Sequence, residues 1–326
     1  MTTTYGDISP RTAAYAVAQM LKRGMPYLCI EKFGQTYPIP NASSTTAKFR
    51  RYNSLPLALT PLVEGVTPAG SPLTVTDYTV TLSQYGDFVG LTDVVMDTHE
   101  DPVLQQATEV LGEQAAQTVE TIRYNVLKAG TNVFYANGTL RTDVNTVITT
   151  TLQRKATRAL KRQNARFITS VLRSTPAYNT QPIEAAFIAL THPDVENDIR
   201  NMTGFIPTKQ YGTVTPFENE IGAVEDVRYL RSTLFTQFAD AGGAKGLMLS
   251  TSGTLADVYP VLLIAKDAYG IVPLKGQNAL TPMIVNPKAA PGDPLGQRGT
   301  AGWKTMQAAV ILNDAWMVRM EVAATA

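Results

Sequence analysis

The 326-residue sequence contains one cysteine, Cys29. An internal disulfide and a cysteine-built metal cage are therefore excluded, and the usage suits a reducing cytosol. Histidine is almost as scarce, with only His99 and His192. Neither stands in an HExxH or comparable spacing, and no motif joins either one to Cys29. His192 precedes Pro193 at a strand-to-helix junction and reads as structural or solvent-exposed rather than as a ligand. Long hydrophobic runs are missing too. The longest, VYPVLLIA at 258–265, is strand-sized and far short of the ~18 residues of a membrane span. The opening MTTTYGDISPRTAAYAVAQM is polar and has no signal-peptide core. GGAKG (242–246) lacks the phosphate-loop spacing and reads as a flexible surface loop, while STSGT (250–254) is not GxSxG. The aromatic residues are scattered and form no base-stacking platform. With net charge +1 and pI about 7.7, no global field recruits nucleic acid or anionic membrane.

Charge is scarce locally rather than overall. Between Arg51 and Arg123 there is no Lys or Arg, and that interval holds Glu64, Asp77, Asp87, Asp93, Asp97, Glu100, Asp101, Glu109, Glu113 and Glu120. Between Asp143 and Glu184 there is no acid, and Arg154, Lys155, Arg158, Lys161, Arg162, Arg166 and Arg173 fall there. Opposed blocks in a neutral chain suit self-association, acidic part of one copy to basic part of another. Two ordinary solvated faces are the simpler alternative.

The chain is long enough for roughly two domains. RTAAYAVAQMLKR (11–23) predicts a short amphipathic helix closed by Gly24. Residues 25–45, dotted with Pro and Gly, read as an unpacked arm. Residues 46–92 read as two extended limbs of roughly 18 residues around a Gly/Pro turn at 64–72. In the second limb Val75, Asp77, Thr79 and Thr81 face one way and Tyr78, Val80 and Leu82 the other. Each limb would reach ~60 Å at ~3.3 Å per residue, and a lone hairpin of that length needs a surface to lie on. A neighbouring subunit is the expected support.

Asp97, His99, Glu100 and Asp101 then crowd into five positions, a density that raises the question of a metal site or a catalytic cluster. Acids also collect at helix N-termini, where the macrodipole stabilises them, and Pro102 is well placed in a first helical turn. The helix-start reading explains more of the pattern. A helix of about 27 residues follows, with an expected buried stripe of Val103, Ala107, Val110, Leu111, Thr118, Ile122 and Val126. Gly112 reads as a mild defect inside it. Asn137-Gly138 signals a turn. A second helix, about 148–166, puts Arg154, Arg158, Lys161, Arg162 and Arg166 on one side. Those cations suit phosphates or an acidic neighbour, and electrostatics does not choose. From 183 onward the pattern is mixed: AAFIALTH, GAVEDVRYLRST, KGLMLST, DVYPVLLIAKDAYGIVPL and MIVNP read as strands, with a helix from Pro193. WKTMQAAVILNDAWMVRMEVA closes the chain as two strands, or a strand and bulge.

This order of parts resembles the major capsid protein of tailed bacteriophages, the Hong Kong 97 type of fold. LTPLVEGVTPAGSPLTVTDYTVTLSQYGDFVGLTD, FIALTHPDVENDIRNMTGFIPTKQYG, IGAVEDVRYLRSTLF and GWKTMQAAVILNDAWMVRMEVA are similar to the capsid family named after coliphage N-four. The resemblance covers about residues 45 to 326. It implies an α+β fold with an N-terminal arm (1–45), an extended hairpin loop (46–92) and a peripheral domain (93–182) with a spine helix at 102–129. An axial domain (183–295) and return strands of the peripheral domain (296–326) would complete it. Such subunits form hexamers and pentamers that close into an icosahedral shell around double-stranded DNA, held non-specifically. Their partners are portal and scaffold proteins, with decoration proteins as optional additions, and no membrane is involved. The resemblance implies a virion component assembled in host cytoplasm, with no enzyme activity and no cofactor. The alternative is an encapsulin-like compartment shell of the same fold.

Under this reading Glu64, Asp77, Asp87, Asp93, Asp97 and Asp101 are intersubunit contacts, and Arg154, Arg158, Lys161, Arg162 and Arg166 meet a neighbour or DNA. Some shells of this fold are welded by Lys–Asn isopeptide bonds from a lysine on the extended loop. Here the hairpin has no lysine after Lys48, so non-covalent stabilisation or auxiliary proteins are expected.

Overall fold

In the computed structural model, the described residues are 23–24, 27–40, 44–67, 69–98, 103–171, 183–211, 215–274, 280–285, 287 and 293–326. The expected helix at 11–23 falls almost wholly outside them, as do His99, Glu100, Asp101, Pro102 and Arg173.

The apolar runs of the second half build a seven-stranded mixed sheet. Its strands are β5 (Val133–Tyr135), β6 (Phe187–Thr191), β7 (Phe205–Pro207), β8 (Glu220–Val224), β9 (Val227–Arg231), β10 (Tyr259–Ile264) and β14 (Met317–Val322), in the order β5-β14-β10-β6-β9-β8-β7. Every residue of β6 and β10 is buried. Such continuous apolar runs indicate a sheet covered on both faces. Phe187, Ala189, Val261, Leu263, Val318 and Met320 point to one face, where Leu152, Ala156 and Leu160 of helix α3 (Thr150–Arg162) pack. Ile188, Leu190, Leu262, Ile264 and Met317 point to the other, against Tyr124 and Leu127 of helix α2 (Val103–Lys128). The Thr149 side chain starts α3 by accepting the Leu152 N–H at 3.2 Å.

A second, five-stranded sheet is organised by the 14-residue β13 (Arg298–Ile311). Residues 298–307 pair with β4 (Ser83–Thr92), 300–304 with β12 (Thr281–Val285) and 307–311 with β11 (Tyr269–Pro273). β1 (Gln35–Thr36) adds parallel to β11. Helix α2, 26 residues long and so about 39 Å at 1.5 Å per residue, spans both sheets. Its first half packs Leu111 and Ala115 on Leu91, Ala301 and Trp303, and its second half lies on the seven-stranded sheet. The sequence-drawn boundary at 295 runs across both sheets, since β11 and β12 pair with β13 while β14 pairs with β10.

Several expectations need correction. The paired hairpin is short: β2 (Thr46–Tyr52) pairs with β3 (Val75–Thr81), Arg50 opposite Asp77. Residues 53–74 carry no strand among those described, as Pro56, Pro61 and Pro72 remove ladder donors. Residues 83–92 leave the hairpin for β13. A short helix, α1 (Asp93–Thr98), sits where the limb was expected to end. Residues 27–40 are not a free arm, because Cys29, Ile30, Phe33 and Ile39 are buried.

The buried face of α2 is also rotated from the expected stripe. Thr108, Leu111, Gly112, Ala115, Ala116, Val119, Glu120, Arg123, Tyr124 and Leu127 are buried, whereas Val110 is half exposed. Small residues there admit another backbone: a Cβ on Gly24 would lie 3.0 Å from the Gly112 carbonyl oxygen. Gly112 is a crossing point rather than a defect. KGLMLST forms one isolated bridge, Met248 with Thr325, and no strand. The first two glycines of GGAKG are packed, while Ala244, Lys245 and Gly246 are exposed. The Gly242 N–H donates to Ala256 and that of Gly243 to Val144, and a Cβ on Gly242 would collide with the Val144 carbonyl oxygen.

Candidate intersubunit surfaces

The hairpin and its tip form the most solvent-exposed apolar stretch. Beyond β2 and β3 the chain carries Leu55, Leu57, Leu59, Leu62, Val63, Val66 and Leu73, each between 53% and 83% exposed. The hairpin base is anchored instead: Ala47, Phe49 and Leu82 are buried with Ile39, Val272 and Leu312. Glu64 lies at the exposed tip and makes no ion pair among the described residues. Asp77 is already engaged, accepting Arg50 Nε at 2.9 Å and Nη2 at 3.0 Å, with Lys48 Nζ 3.5 Å away. These hydrogen bonds from Arg50 hold its carboxyl below the usual range.

Asp87 is likewise used inside the chain. It accepts Gln114 Nε2 at 2.6 Å and the Phe88 N–H at 2.8 Å, bonds that lower its pKa, Gln114 most of all. Gln114 in turn accepts the Trp303 indole N–H at 3.1 Å, so Asp87 ties β4 to α2 and β13. Asp93 opens α1 and accepts the Val94 N–H. Asp97 is the fifth residue of the same helix, and Asp101 lies outside the described residues. Among the described residues no His/Cys/Asp/Glu group could hold a metal ion.

The basic helix is α3. Arg154, Lys155, Arg158, Lys161 and Arg162 are exposed, and Arg166 is exposed just beyond its end. Four of them line one open cleft of about 670 Å³, together with Thr157, Glu184, Glu225 and Asp226. Arg154 Nε is 2.9 Å from Glu225 Oε1, and Lys161 pairs with Asp226. Both acids sit on the β8–β9 turn, where Glu225 has the positive φ of 51°. The hydrogen bond from Arg154 lowers the Glu225 pKa. Arg158, Arg162 and Arg166 make no ion pair among the described residues. Like charges at i and i+4, as at Arg158 and Arg162, destabilise a helix slightly unless an anion answers them.

The arrangement therefore has two exposed surfaces, an apolar excursion and a cationic cleft in which Arg158 and Arg162 make no ion pair among the described residues. The family model for "Phage capsid protein" matches residues 76–320. The chain belongs to the phage capsid protein family. Capsid structures share the fold. The capsid of Ralstonia phage GP4 aligns with a TM-score of 0.66 at 13% identity, covering 90% of this chain and 87% of that one. The capsid of cyanophage P-SCSP1u gives 0.59 at 14%, covering 91% and 89%. The capsid asymmetric unit of cyanophage Pam1 gives 0.58 at 15%, covering 93% and 92%. No curated protein matches the chain. This capsid chain is thus a bacteriophage virion structural protein. No helix among its described residues is long and apolar enough to cross a membrane.

Sequence reasoning missed the buried polar pair on α2. Glu120 and Arg123 are inside the protein, and their signal is positional: they fall on the face of Ala116, Val119, Tyr124 and Leu127. It also missed the acids that answer α3, because Glu225 and Asp226 lie some 70 positions downstream. His192 is structural, its Nδ1 accepting the Asp194 N–H at 3.3 Å, and burial lowers its pKa.

Proposed function

We propose that this chain is the major capsid protein of a tailed-phage head, self-assembling into hexamers and pentamers that close around double-stranded DNA, with no catalytic role. The observation that carries this reading is the hairpin tip. Seven large apolar residues at 55–73 stand in water, and a stretch that size marks a partner surface. A second copy is the partner that a shell requires. The helix α2 and the seven-stranded sheet would then serve as the spine and axial core, with portal, scaffold and decoration proteins as further partners and host cytoplasm as the place of assembly. Negative-stain microscopy and size exclusion of the purified chain test the reading. Closed particles tens of nanometres across support it, and a persistent soluble monomer overturns it. Particles holding protein cargo in place of DNA would move the assignment to a compartment shell.

We assign the cationic cleft to a neighbour's acidic surface, with DNA as the alternative; Glu184, Glu225 and Asp226 interleave with its cations and repel either anion, so charge alone does not choose. Glu64, Asp93, Asp97 and Asp101 are the acids we assign to it. Replacing Arg158 and Arg162 by Glu should cut particle yield while the monomer stays folded. Intact shells with poorer DNA retention would place α3 on the lumen instead.

A further inference from the structure

Glu120 is fully buried on α2, yet its carboxyl is only half used. Oε1 accepts the backbone N–H groups of Cys29 at 2.9 Å and Ile30 at 2.8 Å. Oε2 has no hydrogen-bond partner among the described residues. These bonds fasten residues 27–33 to the helix that spans both sheets.

The charged and titratable neighbours come from every element packed there. Arg123, one turn along α2, donates from its two terminal nitrogens to Glu31 Oε2 at 3.1 Å and Gln307 Oε1 of β13 at 2.7 Å, and its buried Nε has no hydrogen-bond partner among the described residues. Glu31 adds a second negative charge from the segment itself. Tyr269 of β11 donates its hydroxyl to the Ile30 carbonyl, and the Cys29 thiol lies in the same core. Burying an ion whose second oxygen goes unanswered is costly, so the closed geometry favours the neutral acid.

We propose that Glu120 is a proton-operated latch: the protonated carboxyl keeps residues 27–33 on α2, and ionisation releases them. The segment continues through β1 toward β2, so release also loosens the base of the hairpin. Burial pushes the Glu120 pKa up to about 7, against the opposing pull of the two backbone N–H groups and Arg123. With the segment open and the carboxyl hydrated, the ordinary value of about 4.3 returns. The closed state then binds more protons between those values. Opening therefore rises up to about tenfold per pH unit from about 4.5 to about 7 and levels off above. Acid closes the latch and neutral pH frees it. The inference concerns the single chain and does not depend on shell formation.

Cys29, the one thiol in the sequence and buried, is a native reporter of opening. The full-length folded chain is treated with excess 4,4′-dithiodipyridine from pH 5 to 8, as wild type and as Glu120→Gln. Glutamine keeps an oxygen for both N–H groups but cannot ionise. Reaction takes place in the open state, where the thiol is away from Glu120, so its titration there is common to both proteins and cancels in the ratio of rates. The wild-type to variant ratio should rise at least tenfold from pH 5 to 7 and flatten above. A ratio independent of pH overturns the proposal. Should Glu120→Gln fail to fold, amide exchange in the wild type decides. Protection of Cys29 and Ile30, relative to Leu262 of β10, should fall between pH 5 and 7, and constant relative protection overturns the latch.

Discussion

The seven-stranded sheet and the hairpin differ in what each needs from outside the chain. Around β6, β9 and β10 every apolar side chain finds cover within the same molecule, and even a charge pair is closed in. Arg228 and Glu220, 4% and 0% exposed, meet through two hydrogen bonds at 2.7 and 2.6 Å, with Tyr211 donating to Glu220 as well. Between β2 and β3 the reverse holds. Leucines alternate with prolines, no ladder forms, and water faces them. A sequence that buries leucine thoroughly at 262 and 263 and leaves it bare at 57, 59 and 62 does not lack the means to fold. On the proposed reading, the second set serves another surface.

The sharpest way to break this contrast is to remove the tip's apolar character. Leu57→Ser, Leu59→Ser and Leu62→Ser together should abolish assembly at concentrations where the wild type forms particles, because each leucine buried is worth about 1.5–3 kcal/mol. The monomer's unfolding midpoint should stay within about 0.5 kcal/mol per substitution, as at other surface sites. A monomer destabilised by several kcal/mol would mean that the tip packs on its own chain, and the comparison would fail.

The next largest effect belongs to the sheet. Arg228→Ala leaves Glu220 buried without its cation, a loss of about 3–5 kcal/mol against a typical total of 5–15. Urea denaturation of the monomer measures it. Gly242→Ala should cost less, about 1–3 kcal/mol, since the added methyl meets backbone oxygens that cannot turn aside. A neutral result there would restore the view of 242–246 as a loose loop.

What could be read beforehand follows the same divide. Strands β6 and β10 are visible as apolar runs, and α2 is visible in extent, 102–129 expected and Val103–Lys128 found. Its buried face was not visible. Glu120 and Arg123 look like solvent residues to any hydrophobic count, and Gly112, Ala115 and Ala116 contribute little hydrophobicity while allowing the closest packing. Residues 27–40 differ from their composition for a similar reason: Pro and Gly suggest an arm, whereas four scattered apolar side chains and two N–H groups held by Glu120 fix the segment in place. At the surfaces, α3's cations were legible because helical spacing gathers them. Their intrachain acids were not, since only the sheet's topology brings the β8–β9 turn to that helix. For the hairpin, alternation set the facing of β3 correctly. The departure of 83–92 to β13 depends on a strand more than 200 positions away.

The smallest effect is the most instructive, because it repeats the Arg228 experiment in water. Asp77 and Arg50 are as well paired geometrically as Glu220 and Arg228, through two bonds at 2.9 and 3.0 Å. Asp77→Asn should nevertheless leave the global unfolding midpoint at pH 7 unchanged, since solvent screens an exposed pair. Only the hairpin should respond, with amide exchange at Thr76 and Tyr78 rising a few-fold at most. The Asp77 pKa is depressed in the fold. Its contribution is therefore present above the unfolded value of about 3.9 and fades as pH falls through the lower folded one. Wild type and variant should be separated in exchange above about pH 4 and converge as pH falls below it. If instead Asp77→Asn lowered global stability as Arg228→Ala is expected to, hairpin and sheet would form one cooperative unit, and the division drawn here between a self-sufficient core and a limb awaiting its neighbour would not stand.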